Sequence, residues 1–524
     1  MKRVSKNLTK AVTLSVLLML PYGMAEAREY DATISGKDDS YSTDINKTYN
    51  DEKNAYVYDF KGETTIKKET EDGYCGINTK GNNIIISNKL NIDVTQGYNG
   101  SSAAAGHIYG IYANSGYIVD RRFGGDITLY GDDKGGTGVY VGKSSKLLLG
   151  NGDITVTRKA TKNAYFSDKP VGIDFSLGNG AIAVKGTGMI KVKDEIDTEY
   201  TNKAGAYGIQ FDYGNAGNTL ILGYQGDYSD EDLAKFKKDN LKEIIAAEKL
   251  GAVVIGTEAK ASDNTAEAVG ISWDQEHTSD VEGSNVIVAG KLEITAKATS
   301  NSELPDEALN FPGAELYKYN EISSASGIVN SQQWSQDENE EDYKSVDTNI
   351  VVKSVDIEAE ATNNGNLFAA AYGINSNSKI ENISASTTLL EASEIKATTT
   401  GTGKVKANGI LAEGNGLVVK YRIDDDYNPV YYQDYKDGGK VDVNTSDITI
   451  TTTTNGGKEV ENVGIKASGG TVIINGNAGI TVNVNNAADT NSDVFGIWSN
   501  LGGTVNVEGA ANITINDNRL DAKK

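Results

Sequence analysis

The hydrophobic residues of this chain fall in short groups in which apolar and polar positions alternate. Thr471-Val472-Ile473-Ile474 and Thr504-Val505-Asn506-Val507 are two such groups, and Gly479-Ile480-Thr481-Val482 and Asn512-Ile513-Thr514-Ile515 are two more. Alternation with a period of two, carried by β-branched residues, predicts short strands. The groups are themselves periodic. A Gly-Ile pair (once Gly-Val), often preceded by Ala and one more residue, begins at Gly76, Gly110, Gly138, Gly172, Gly208 and Gly270. It returns at Gly327, Gly373, Gly409, Gly464 and Gly496. The unit reads A-x-G-I, a Gly turn, T-V-x-V/I, a second turn, I-T-V/I, and a loop of variable length.

Three short strands and three turns per unit make one coil of a helical sheet. The fold class is therefore all-β, a parallel β-helix (solenoid) in which equivalent strands stack about 4.8 Å apart. Glycine at the bends permits the positive φ of a corner. Ile465, Val472, Ile474, Ile480 and Val482 then face inward as aliphatic ladders. A lone unit cannot bury its apolar side, so stability comes from stacking. Eleven coils would span roughly 50 Å, or approach 100 Å if the long units hold two coils each. Phe175, Phe211 and Trp273 each stand two positions after the Ile of a pair and should point inward, whereas Trp498 follows its Ile directly and should point outward. A sandwich or propeller fits less well, because the strands are only about four residues long and a four-stranded blade signature is missing.

Insertions decorate this rod. Ser229 to Leu250 reads as a helix, with Ser229 as N-cap, Asp230, Glu231 and Asp232 in the first turn and Gly251 beyond the end. Loops at 301–323, 331–345 and 421–440 are long, polar and acidic. Residues 28–70 hold no Gly-Ile pair and several tyrosines, and are expected to cap the first coil. The β-helix proper is expected over 71–524.

The N-terminus sets a compartment. Lys2, Arg3, Lys6 and Lys10 precede the apolar run Ala11–Leu20, and Ala25-Glu26-Ala27 forms an A-x-A site. This order is that of a signal peptide over 1–27, cleaved after Ala27, and predicts export by the Sec route to the cell surface or medium. The mature chain contains no run long and apolar enough to span a membrane. The formal net charge of −23 repels phosphate backbones and argues against nucleic-acid partners. The single cysteine, Cys75, rules out an internal disulfide, so packing and backbone hydrogen bonds must hold the fold.

The signal peptide, the repeated A-x-G-I, G-G-T-V-x-V-x-G and N-I-T-V segments, the near absence of cysteine and the acidic Asn/Thr/Gly-rich composition together resemble the passenger region of autotransporters (type V secretion, pertactin-like), over about residues 71–524. The resemblance implies passage across the outer membrane and a right-handed parallel β-helix folded outside. Such passengers are followed by a translocator barrel. None follows Asn516–Lys524 here, so the chain is expected to be either an N-terminal fragment whose barrel lies in cis, the preferred reading, or a protein released by another route.

Candidate chemistry is sparse. The chain has two histidines: His107 in Ala105-Gly106-His107-Ile108, and His277 in a polar loop. Asp132-Asp133 and Asp424-Asp425-Asp426 are paired acids in turns or loops and are read as solvated turn acids. Motifs for a serine nucleophile, a zinc site or a phosphate loop do not occur. Asp337–Asp342 offers carboxylates for a loosely held calcium ion but is read as a solvated acidic loop, so neither metal nor cofactor is expected. Tyr427, Tyr431, Tyr432 and Tyr435 crowd one loop beside Asp434 and Asp437 and are the candidate ligand-binding residues, since exposed tyrosines serve at hot spots and sugar platforms. The function expected is an adhesin or structural spacer without catalytic turnover, with glycans or proteins on a host or neighbouring cell as partners. The alternative is a β-helical polysaccharide lyase or hydrolase, which would need acids and Arg, Lys or His side by side on adjacent coils.

Overall fold

The computed structural model describes residues 28–519 less several intervening segments, the longest being 36–44, 98–106, 161–168, 227–248, 276–283, 304–321 and 333–346, with shorter ones including 379–384, 424–428 and 435–438. The described residues form a parallel β-helix. One wall is an eleven-stranded sheet with one strand for each Gly-Ile pair, from Tyr74–Asn78 to Ser492–Asn500. The other two walls belong to one 24-stranded sheet. They merge because two strands, Asn285–Ser300 and Thr348–Asn363, run unbroken through both walls.

Each unit is one coil, whatever its length. Thr471, Val472, Ile473 and Ile474 pair in parallel with Thr504, Val505, Asn506 and Val507. The long unit between Gly208 and Gly270 holds one strand per wall: Ala204–Asp212, Thr219–Leu222 and Val253–Ala261. Its extra length falls between Leu222 and Val253 in the sequence and adds no coil. The shorter of the two lengths, roughly 50 Å for eleven coils, therefore applies.

The interior is a set of ladders. Ile77, Ile111, Val139, Ile173 and Ile209 stack in register and continue through Ile271 to Ile497. A second ladder on the facing wall is isoleucine at every step, from Ile92 and Ile127 through Ile480 to Ile513. All five residues read as inward, Ile465, Val472, Ile474, Ile480 and Val482, are buried. Phe175, Phe211 and Trp273 also lie in the core as a stack, with ring centroids 4.3 and 4.0 Å apart. Stacked aromatic rings of this kind gain contact beyond simple burial.

The glycine of the Gly-Ile pair is not a turn residue. None of the eleven has a positive φ. A Cβ on Gly76 would lie 2.6 Å from Cγ2 of Ile92 on the facing wall and 2.9 Å from the carbonyl oxygen of Gly110 in the next coil, and the other ten are at least as close to their facing isoleucine. Inward alternation also changes phase there: Ala266 and Ala268 face the core before Gly270, and Ile271 and Trp273 after it. The strand therefore bends at the glycine, and the facing isoleucine fills the concavity. Corner glycines with positive φ do occur, but one turn later, at Gly81, Gly116, Gly180, Gly469 and Gly502.

Residues 28–70 already contribute coil strands. Ala55–Phe60 stacks on Asn83–Ile86, Thr64–Thr70 on Leu90–Gln96, and Ile34 bridges to Ile77. The covering element is the antiparallel strand Ile45–Asn50, laid along Ala55–Phe60. The helix expected over 229–250 falls, up to residue 248, outside the described residues. Leu250 itself forms an antiparallel bridge with Tyr224.

Candidate binding face

The rod has three outer walls of different chemistry. The wall formed by the third strand of each coil carries Lys, Glu and Thr in exposed ion pairs, such as Lys193 with Glu258 and Lys297 with Glu360. That pattern keeps a sheet surface soluble and adds little stability. The wall formed by the second strand is apolar on its outside. Leu148, Val184, Ile221, Val286 and Val288 are buried there under Tyr224 and Leu250, which flank the 227–248 insertion. Toward the N-terminus the same stripe opens into a groove of about 420 Å³, with Ile85, Ile118, Leu148, Lys53, Arg122 and Lys146 among its lining.

The eleven-stranded wall is the third, and its outer side gathers aromatic and charged groups. The positions that point outward are the residue before each Gly and the residue after each Ile. On the N-terminal coils these are Tyr109, Tyr112 and Tyr140. Tyr112 and Tyr140 stack with centroids 4.7 Å apart, Tyr109 meets Tyr112 edge-on at 5.0 Å, and the His107 ring lies 4.6 Å from Tyr109. His107 Nε2 is 2.9 Å from Thr137 Oγ1. Burial, together with Tyr112 and Asp174 nearby, raises the Tyr140 hydroxyl well above the ordinary phenol range.

On the middle coils a charged chain crosses three adjacent strands. Lys169 Nζ donates to the Tyr207 hydroxyl (2.9 Å), which donates to Glu267 Oε2 (2.6 Å), and Lys203 Nζ reaches the same oxygen at 2.5 Å. Burial works against the Glu267 carboxylate, but Lys203 and Lys169 outweigh it and hold its pKa below the usual range. Behind this chain, inside the coil, Arg158 grips Asp194 with two bonds of 2.7 and 2.6 Å, and the Gly205 N–H donates to Asp194 at 2.7 Å.

On the C-terminal coils lysines lie over aromatic rings. Lys404 sits 5.3 Å from the Phe368 ring, Lys406 5.1 Å from Tyr372 and Lys466 4.3 Å from Trp498. Glu461 ties two of them together, at 2.8 Å to Lys466 and 3.7 Å to Lys406. Trp498 is outward, as its place in the strand requires, with Phe495 5.1 Å away and Lys466 over its ring.

Of the four tyrosines expected to bind, Tyr431 and Tyr432 lie on the strand Pro429–Asp434, which forms a two-stranded antiparallel ribbon with Val418–Ile423. Tyr431 is opposite Tyr421 and Tyr432 opposite Lys420. Tyr427 and Tyr435 fall outside the described residues, as do Asp133, His277, Asp424–Asp426 and Asp337–Asp342. Asp132 ends the strand Ile127–Asp132 on the charged wall. Among the described residues no three His, Cys, Asp or Glu side chains converge on a point that could hold a metal ion. The clusters on the eleven-stranded wall were missed in the sequence because the contacts that build them join different coils, from Tyr112 and Tyr140, 28 residues apart, to Lys203 and Glu267, 64 apart. The usable signal was the repeat itself, since aligning the units stacks Tyr112, Tyr140 and Trp498 at one position and Tyr109, Tyr207 and Tyr372 at another. Known protein families, curated proteins and solved structures offer no match to this chain.

Proposed function

We propose that this protein is an exported β-helical passenger, displayed at the cell surface or released, that acts as an adhesin or spacer and binds through the outer side of its eleven-stranded wall. The observation that supports this is the concentration of aromatic and paired charged side chains on that wall, running from His107 to Trp498, while a neighbouring wall carries ordinary solvated ion pairs. Aromatic and long cationic side chains are the residues that dominate binding hot spots. The partners proposed are glycans or proteins on another cell, and the route proposed is that of the autotransporter passengers the repeat resembles. Protease digestion of intact producing cells should degrade the chain, and purified protein should bind cells or immobilised glycans. Replacing Tyr109 and Tyr112, or Tyr372 and Trp498, with Ala should weaken binding at least tenfold. An intracellular location, or binding unaffected by both double variants, would overturn the proposal.

One observation favours the second reading, a β-helical polysaccharide lyase or hydrolase. The Lys169–Tyr207–Glu267–Lys203 chain is the arrangement of acid and base across adjacent coils that such an enzyme needs. Steady release of unsaturated or reducing ends from pectin or alginate, abolished by Tyr207→Phe, would establish it.

A further inference from the structure

The outer stripe of the second-strand wall changes character along the rod. Over the middle coils Val184, Ile221 and Val288 are buried in one cluster with Tyr224 and Leu250. Over the coils before them Ile85, Ile118 and Ile182 are only half-buried, and with Leu148 they line the groove of about 420 Å³. That volume is within the range of small-molecule sites. These four residues come one from each of four strands stacked in parallel, Asn83–Ile86, Ile118–Asp120, Lys146–Gly150 and Ile182–Lys185. Three steps between strands make an apolar track about 14 Å long. The lining contains no aromatic ring, so it offers no platform to a sugar, whereas its aliphatic side chains can bury an alkyl chain.

The charges beside this track favour an anion. Asp120 is already neutralised by Arg122, whose Nε donates to its two carboxylate oxygens at 3.0 and 3.1 Å. Lys53 lies in the turn between Ile45–Asn50 and Ala55–Phe60, and Lys146 pairs beside Ile118 and Ile182. Among the described residues neither lysine has a carboxylate within ion-pair distance. Glu52 is the remaining acid of the lining. Two cations against one acid leave a local excess of one positive charge, on a chain whose net charge is −23.

We propose that this groove binds one free, unbranched fatty acid of about the length of dodecanoate, its alkyl chain along Ile85, Ile118, Leu148 and Ile182 and its carboxylate countered by Lys53 and Lys146. The extended alkyl chain matches the length of the track, and the single carboxylate matches the single excess positive charge. The site lies on a different wall from the aromatic face, so its test does not depend on what that face binds.

Calorimetric titration of the purified full chain with octanoate, decanoate and dodecanoate, each below its micelle concentration, should show one site per chain. Affinity should rise by up to about fourfold for each added methylene. Dodecyltrimethylammonium, with the same chain and the opposite charge, should bind at least tenfold more weakly than dodecanoate. The double change Lys53→Glu and Lys146→Glu should weaken dodecanoate at least tenfold. Both lysines are exposed, so the variant should fold, and the chain-length series on the parent is a test that does not rely on it. Affinity independent of chain length, several sites per chain, equal binding of the cationic analogue, or binding unchanged in the double variant would each overturn the proposal. Cosedimentation with phosphatidylglycerol vesicles without binding of free dodecanoate would overturn it in favour of a membrane surface.

Discussion

Gly270 lies directly under Ile294, so closely that any β-carbon on the glycine would overlap Cγ2 of the isoleucine. The relationship repeats in all eleven coils, from Gly76 under Ile92 to Gly496 under Ile513. It explains why an interior strand position, where glycine is ordinarily unfavourable, is glycine every time.

Gly270→Ala should therefore destabilise the rod by at least about 2 kcal/mol, since a β-carbon there overpacks the core against both a side chain and the Gly327 carbonyl. Gly256→Ala is the control. It is also an in-strand glycine, yet nothing lies within 4 Å of its would-be β-carbon and its φ is not positive. It should stay within about 1 kcal/mol of the parent. Urea unfolding of the two variants measures the difference, and equal midpoints would contradict the packing argument.

Arg158 and Asp194 form a fully buried ion pair, 1% and 0% exposed. Asp194→Ala removes the carboxylate that accepts from both the guanidinium and the Gly205 N–H, and should cost about 3–5 kcal/mol. Replacing both partners together, Arg158→Met with Asp194→Leu, should recover most of that loss, because neither desolvated charge remains. Thermal melts of the single and double variants form the comparison. A double variant no better than the single one would show that the pair is needed for its shape.

Lys185 is buried where two turns meet, its ammonium donating to the carbonyls of Gly152 (2.7 Å) and Thr187 (3.3 Å). Burial lowers its pKa from 10.5 to about 8, with Asp153 opposing and Arg121 adding to the shift. The folded state thus binds this proton less tightly than the unfolded state. Its penalty is complete below about pH 8 and is relieved as pH rises towards 10.5. Measured against Lys185→Met, the parent should gain about 3 kcal/mol of stability over that window. Denaturation at several pH values between 7 and 10.5 tests the slope, and parallel curves would refute it.

The Cys75 thiol is pushed up to about 11, chiefly by burial, with Asn78 and Lys80 pulling the other way. Thiolate is the reactive form, so at pH 8 the native protein should react with a disulfide reagent some hundredfold more slowly than the chain in urea. Similar rates in both states would mean that the thiol is exposed.

The local pattern of the chain settled the strands, their grouping into coils and the inward ladders. A period of two and a Gly-Ile pair repeated in every unit are properties of neighbouring residues, and stacking carries each into three dimensions unchanged. Phe175, Phe211 and Trp273 were readable as core for the same reason. What stayed hidden was whatever depends on which residues meet between coils and across the interior. The need for glycine in Gly-Ile comes from an isoleucine 16 to 47 residues further on, and a strand read alone suggests only a turn. That residues 28–70 enter the coil follows from strand pairing. The candidate face was hidden in the same way. Lys169, Tyr207 and Glu267 belong to three different coils, and only the stacking of those coils, a few ångströms apart, brings their charges into one hydrogen-bonded chain.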